Sequence, residues 1–131
     1  MRVNSEYTHV GILRYFKEEG EVLTVQHLTA LNQIKDQIQQ APLTLLLIKT
    51  DHCGVCDSVM AKLDDKLPSF PQVKGIYIRM EEAPEVSGEY LVFTAPTLLL
   101  FMEGKEVFRQ SRFILMGEVE KQLQGWSEAL Q

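Results

Sequence analysis

The chain has 131 residues, 45% of them hydrophobic, and a formal net charge of −5. That length suits one domain, and that apolar share can build a core without a metal or a disulfide scaffold. The mild acidity argues against general nucleic-acid binding, which needs a basic face, and no apolar run is long enough to span a membrane.

Residues 1–20 read as an N-terminal extension of uncertain role, and residues 21–131 as the domain. The start, "MRVNSEYTHVG", lacks the apolar stretch of a secretion signal, so the expected compartment is the cytoplasm. "HVGILRYFKEEGE" has apolar residues but no clean period. It packs as an added helix or strand, or it meets a partner. Tyr7, Tyr15 and Phe16 are candidates for an apolar docking patch, with ordinary packing the favoured reading.

"EVLTVQ", Glu21 to Gln26, predicts a short strand. In "LTALNQIKDQIQQ", Leu28, Leu31, Ile34 and Ile38 recur at helical spacing, so Leu28 to Gln40 predicts an amphipathic helix that Pro42 closes. "LTLLLIK" then predicts a strand buried on both faces. Both cysteines follow it at once. From Cys53 the pattern is helical again, with Cys56, Val59, Met60, Leu63 and Leu67 on one stripe and Pro68 and Pro71 stopping it. Val73 to Met80 predicts a third strand, and "APEVSGEYLV" a short helix or a turn. Thr97 to Met102 predicts a strand that the glycine turn "EGKE" returns into "VFRQ" as a hairpin. The tail predicts a closing helix with Leu115, Val119, Leu123, Trp126 and Leu130 on its apolar face. Strands and helices alternating in this order predict an α/β fold: a central mixed sheet flanked by helices.

Cys53 and Cys56, in "DHCGVCDS", carry the chemistry. Structural zinc needs about four ligands. His52 is poorly placed to close the same tetrahedron, Asp51 and Asp57 are the nearest oxygens, and no second CxxC exists. A purely structural disulfide across so short a loop contributes little. Inert buried thiols remain open. The redox reading is favoured because Cys53 falls where a buried strand ends and a helix begins. Unpaired amides there favour a thiolate. Cys56, one turn later and more shielded, can resolve a mixed disulfide formed on Cys53, while Gly54 keeps the approach open. His52 either stabilises the thiolate or is a solvated loop residue. Asp51 and Asp57 oppose the thiolate by their charge, unless Asp51 instead caps the helix.

A second feature is "TAPTLLLF", Thr94 to Phe101. Pro96 sits just ahead of a strand, where it lacks a ladder donor. A cis Ala95–Pro96 bond facing Cys53 lets the backbone of Ala95 hold an extended substrate. A trans proline that merely starts the strand is the alternative.

With "LTLLLIKTDHCGVC", "APTLLLFMEGKEV" and the order of elements between them, the chain from about Val22 onward resembles thioredoxin. The resemblance implies the thioredoxin-like fold, Cys53 as attacking thiol, Cys56 as resolving thiol, Pro96 as the cis-proline beside them and Gly104 as the hairpin glycine. It also implies substrates that are protein disulfides or low-molecular-weight thiol adducts. The chain departs from the family's pattern. His52 stands in place of a tryptophan and Val55 in place of a proline. Leu47 falls where a buried aspartate is usual, Tyr77 near its lysine partner and Arg112 near a later glycine.

"EGKE" lacks the spacing of a phosphate loop, and Glu81 and Glu82 read as a solvated edge rather than a hydrolase pair. Phe108, Phe113 and Trp126 are expected in the core. The functional expectation is a thiol–disulfide oxidoreductase cycling Cys53 and Cys56, with His52, Gly54, Val55, Ala95 and Pro96 positioning the substrate. It needs no cofactor or metal, binds no nucleic acid or membrane, and resets through an external reductase or thiol. The alternative is a binding or scaffold protein that keeps the fold with weak or no turnover.

Overall fold

The computed structural model describes residues 2–3, 15–16 and 22–130. Three short strands, β1 (Arg2–Val3), β2 (Tyr15–Phe16) and β3 (Val22–Leu23), pair antiparallel in that order. The expectations for Tyr7 and for the side chains of Tyr15 and Phe16 lie outside the described residues.

The main sheet has five strands, β4 (Val25–His27), β5 (Leu43–Lys49), β6 (Val73–Arg79), β7 (Thr97–Met102) and β8 (Lys105–Ser111). They lie in the order β4-β6-β5-β7-β8, the first three parallel and the last two antiparallel. The helices are α1 (Leu31–Gln40), α2 (Gly54–Lys66), α3 (Glu85–Tyr90) and α4 (Met116–Ala129).

Because strand side chains alternate, β5 feeds two cores. Leu43, Leu45 and Leu47 meet Val59 and Leu63 of α2 and Val119 and Leu123 of α4. Leu46 and Ile48 meet Ile34 and Ile38 of α1 and Val86 of α3. Leu43 to Ile48 are all at most 1% exposed. Each such leucine or isoleucine contributes about 1.5–3 kcal/mol by leaving water. Gly75 on β6 lies in close packing: a Cβ there would sit 2.5 Å from Leu67 Cδ1, so the Leu67 side chain would have to move.

The strand expected over Glu21–Gln26 is split. Val22–Leu23 pairs with Tyr15–Phe16, while Val25–His27 joins β6. Thr24 marks the junction: its N–H and hydroxyl donate to the Asp64 carboxylate of α2 at 3.1 and 3.0 Å, and the Val25 N–H joins them at 3.2 Å. The first helix starts later than Leu28. Leu28 N–H still donates to Tyr77 O, and the Gln33 side chain holds the N–H groups of Thr29 and Ala30. Glu103 (φ 48°) and Gly104 (φ 87°) make the hairpin turn, the positive φ values expected where strands twist right-handedly.

Two expected core residues are outside. Phe113 is 78% exposed and Leu115 59%. Arg112 adopts φ 69°, which turns the chain out of β8, and Leu115 precedes the helix whose buried stripe begins at Val119.

Register decides what shares one end of the sheet. Ile48 pairs with Thr97, and Lys49 with Arg79. The chain therefore leaves β5 for the cysteines at the end where Pro96 enters β7 and where β6 finishes.

Candidate active site

Cys53 is the N-cap of α2, with φ −114° and ψ 97°. Its sulfur accepts the Cys56 N–H at 3.1 Å, and its carbonyl accepts the Asp57 N–H at 3.1 Å. Asp51, considered as a cap, does not serve as one. The sulfur takes that place, and the Asp51 carboxylate instead accepts from Arg79 Nη1 at 2.7 Å. Cys53 and Cys56 are joined as a disulfide with Cα atoms 5.2 Å apart. Cys53 is partly exposed, and Cys56 is fully buried. Among the described residues, no three His, Cys, Asp or Glu side chains converge as a metal site.

Gly54 and Val55 are exposed at the start of α2, and a Cβ at Gly54 would meet nothing within 4 Å. His52 is exposed with φ 57°, a left-handed turn that sets the chain into the helix. The Ala95–Pro96 bond is cis. Pro96 is buried and Ala95 partly exposed. The Arg112 N–H donates to Pro96 O at 2.7 Å, and buried Thr97 ties the preceding turn by donating to Thr94 O at 2.7 Å. Phe93 is 74% exposed just ahead of this turn, and sequence reasoning did not single it out.

The positions that depart from the family's pattern have plain local explanations. Leu47 is fully buried in the apolar cluster with Val59 and Leu63, so no carboxylate lies at that point under the helix. Tyr77 is half-buried, stacks on His27 at 4.6 Å and has the Lys49 ammonium 5.7 Å above its ring. Burial pushes the Tyr77 phenol up, against the pull of Lys49. Arg112 holds the left-handed conformation that glycine adopts most easily.

Ion pairs through Lys49, Arg79 and His27, which the sequence reading missed, organise this end of the sheet, and Glu82, expected on a solvated edge, is largely enclosed by two of them. Lys49 Nζ lies 2.8 Å from Asp57 Oδ1, with the lysine side chain only 15% exposed. Arg79 pairs with Asp51 and, at 3.2 Å, with Glu82. Glu82 also meets His27 Nε2 at 2.8 Å, while the Asp51 N–H donates to Glu81 at 2.9 Å. Burial opposes ionisation of Glu82. The hydrogen bonds from His27 and from Arg79's side chain and backbone overcome it and hold that carboxyl at about 2. One signal was available: Lys49 is the sole charge closing the apolar run "LTLLLIK". A shallow depression of about 390 Å³ lies elsewhere on α2, lined by Ala61, Lys62, Asp65, Lys66 and Met116. Its α2 residues lie beyond Cys56, and it does not include the dithiol.

A five-stranded mixed sheet, helices on both faces and a disulfide at the start of α2 define a thioredoxin-fold protein. No protein-family model matches the chain. It is 35% identical over 96 residues to the thioredoxin-like protein YdfQ of Bacillus subtilis, a match spanning 73% of this chain and 86% of that protein. It is 30% identical over 94 residues to thioredoxin-2 of Pyricularia oryzae, spanning 72% of this chain and 55% of that one. Mitochondrial thioredoxin 3 of Saccharomyces cerevisiae, in oxidised form, shares the fold with a TM-score of 0.69 at 21% identity, over 77% of this chain and 94% of that one. The chain belongs to the thioredoxin family and is a thiol–disulfide oxidoreductase.

Proposed function

We propose that the protein, through residues 21–131, reduces disulfides of proteins or of low-molecular-weight thiols by cycling Cys53 and Cys56. The observation that carries this reading is the asymmetry of the pair: Cys53 is partly exposed at the helix N-cap, and Cys56 is fully buried one turn on. In the reduced protein the Cys53 thiolate attacks one sulfur of the substrate disulfide. A Cys53–substrate bond forms, and the other substrate sulfur leaves as a thiolate that takes a proton. Cys56 then loses its proton and attacks Cys53 Sγ. The intramolecular disulfide forms, and the second substrate thiolate leaves. Two electrons pass from the protein to the substrate, and an external reductase or thiol returns them.

His52, Gly54 and Val55 form one side of the substrate site, and the backbone of Ala95 beside Pro96 forms the other. Support comes from the register that brings both loops to one end of the sheet. The cytoplasm is the compartment proposed for this cycle, because a dithiol that works as a reductant needs surroundings that keep thiols reduced.

Turnover of an insulin disulfide with dithiothreitol as reductant tests the cycle. Cys53→Ser is expected to abolish turnover. Cys56→Ser is expected to accumulate a mixed disulfide that mass spectrometry detects. Turnover that survives Cys53→Ser refutes the assignment. A wild-type protein that binds its targets without turnover supports instead the alternative of a thioredoxin-fold binding protein, which the buried Leu47 favours by leaving Cys56 without a nearby acid at that position.

A further inference from the structure

Two carboxylates bracket the dithiol, Asp51 ahead of Cys53 and Asp57 behind Cys56. Asp57 lies in the first turn of α2, where its own N–H bonds to the Cys53 carbonyl. A negative charge there works against a thiolate on Cys53, since both compete for the field of the same helix start. Neither carboxylate stands alone. Lys49 Nζ is 2.8 Å from Asp57 Oδ1, and Arg79 Nη1 is 2.7 Å from Asp51 Oδ1. Lys49 is held in place: its stem runs out of the buried strand β5, its side chain is 15% exposed, and its ammonium lies over the Tyr77 ring. Its partner Asp57 is 70% exposed. The cation is thus the fixed member and the carboxylate the one that comes to it.

We propose that Lys49 is a positioning residue for the exchange reaction, holding Asp57 in an ion pair so that the start of α2 stabilises the Cys53 thiolate, with Arg79 doing the same for Asp51. This rests on the reading of Cys53 as the attacking thiol. Among the described residues, the other charged or titratable groups on the elements around this region are His52 in the loop, Tyr77 on β6, Glu81 and Glu82 after it, His27 on β4, Asp64 of α2, which acts on Tyr77, and Arg112 after β8. Glu82 is held by Arg79 and His27, and the Arg112 guanidinium lies 5.8 Å from the Phe113 ring.

The test is alkylation of the reduced full-length protein by iodoacetamide from about pH 5 to 9 at low ionic strength, resolved at Cys53 by mass spectrometry. Lys49→Met leaves Asp57 uncompensated. It is expected to move the Cys53 profile to higher pH and slow alkylation near neutrality by about threefold. Asp57→Asn leaves Lys49 unpaired and is expected to speed it by a similar factor of about three. The double variant returns to the wild-type profile, Lys49→Arg keeps it, and added salt shrinks both single effects. An unmoved profile in Lys49→Met overturns the proposal. So does a double variant that tracks Lys49→Met, which would mean the lysine acts without Asp57. If Lys49→Met is unfolded by circular dichroism, Asp57→Asn alone decides, and an unchanged or slower alkylation rate overturns the proposal. No disulfide substrate is present. A protein with the expected profiles and no insulin turnover therefore keeps this inference and loses the reductase reading, and the converse result does the reverse.

Discussion

The body of β5 and its last residue obey different physics. Leu43 to Ile48 are sealed by helices on both faces, and their stability comes from apolar area removed from water. Lys49, the next residue, begins a rim where Asp57, Asp51, Arg79, Glu82 and His27 are joined by ion pairs and hydrogen bonds. The interior explains why the sheet forms. The rim explains how a cysteine pair flanked by acids can still present a reactive sulfur. Stability and reactivity are therefore separable here, and substitutions should act on one with little effect on the other.

The sharpest way to break that separation is to put a charge into the dry region. Leu47→Asp places a carboxylate where Leu47 is fully buried against Val59 and Leu63. It is expected to destabilise the protein by about 3–5 kcal/mol, because an unpaired buried charge must neutralise or open the core. Denaturant unfolding measures it, and a loss below about 1 kcal/mol would mean that a partner or water reaches the site. Gly75→Ala tests the packing alone. Its Cβ would lie 2.5 Å from Leu67 Cδ1, so a loss of about 1–3 kcal/mol is expected, with the alkylation profile of Cys53 unchanged.

The rim yields smaller effects with a pH signature. The Glu82 carboxyl is depressed from 4.5 to about 2 in the folded protein. Its contribution to stability is complete above pH 4.5 and disappears as the pH falls through about 2. Glu82→Gln should thus lower stability near neutrality and flatten the acid limb of a melting-temperature profile. An unaltered acid limb would remove Glu82 from the account. The smallest effect belongs to Arg112→Gly. Relief of the residue's left-handed φ is worth about 1 kcal/mol, partly offset by chain entropy and by loss of the Phe113 stack, for a net gain of about 0.5 kcal/mol. A small rise in melting temperature is the readout.

Much of the scaffold was legible without coordinates. The apolar run "LTLLLIK" announced a strand covered on both faces, and the helical stripe from Cys56 through Leu63 predicted which side of α2 is buried. "EGKE" read correctly as a hairpin turn. These features are local, since strand and helix periods depend on neighbours in sequence. Phe113 and Leu115 were misjudged because hydrophobicity alone does not say which way a chain turns after a strand. The sequence left open whether Asp51 caps the helix or faces the thiolate, because its partner Arg79, 28 residues away, is invisible in the local pattern.

From its residues alone, this protein is committed to alternating strands and helices, with two cysteines at the mouth of a helix. The order β4-β6-β5-β7-β8 could come only from three dimensions. So could the pairing of Lys49 with Asp57, of Arg79 with Asp51, and of His27 with Glu82. The physical reason is range. Periodicity is written into consecutive residues, whereas a charge finds its counterpart only after distant strands have been laid side by side.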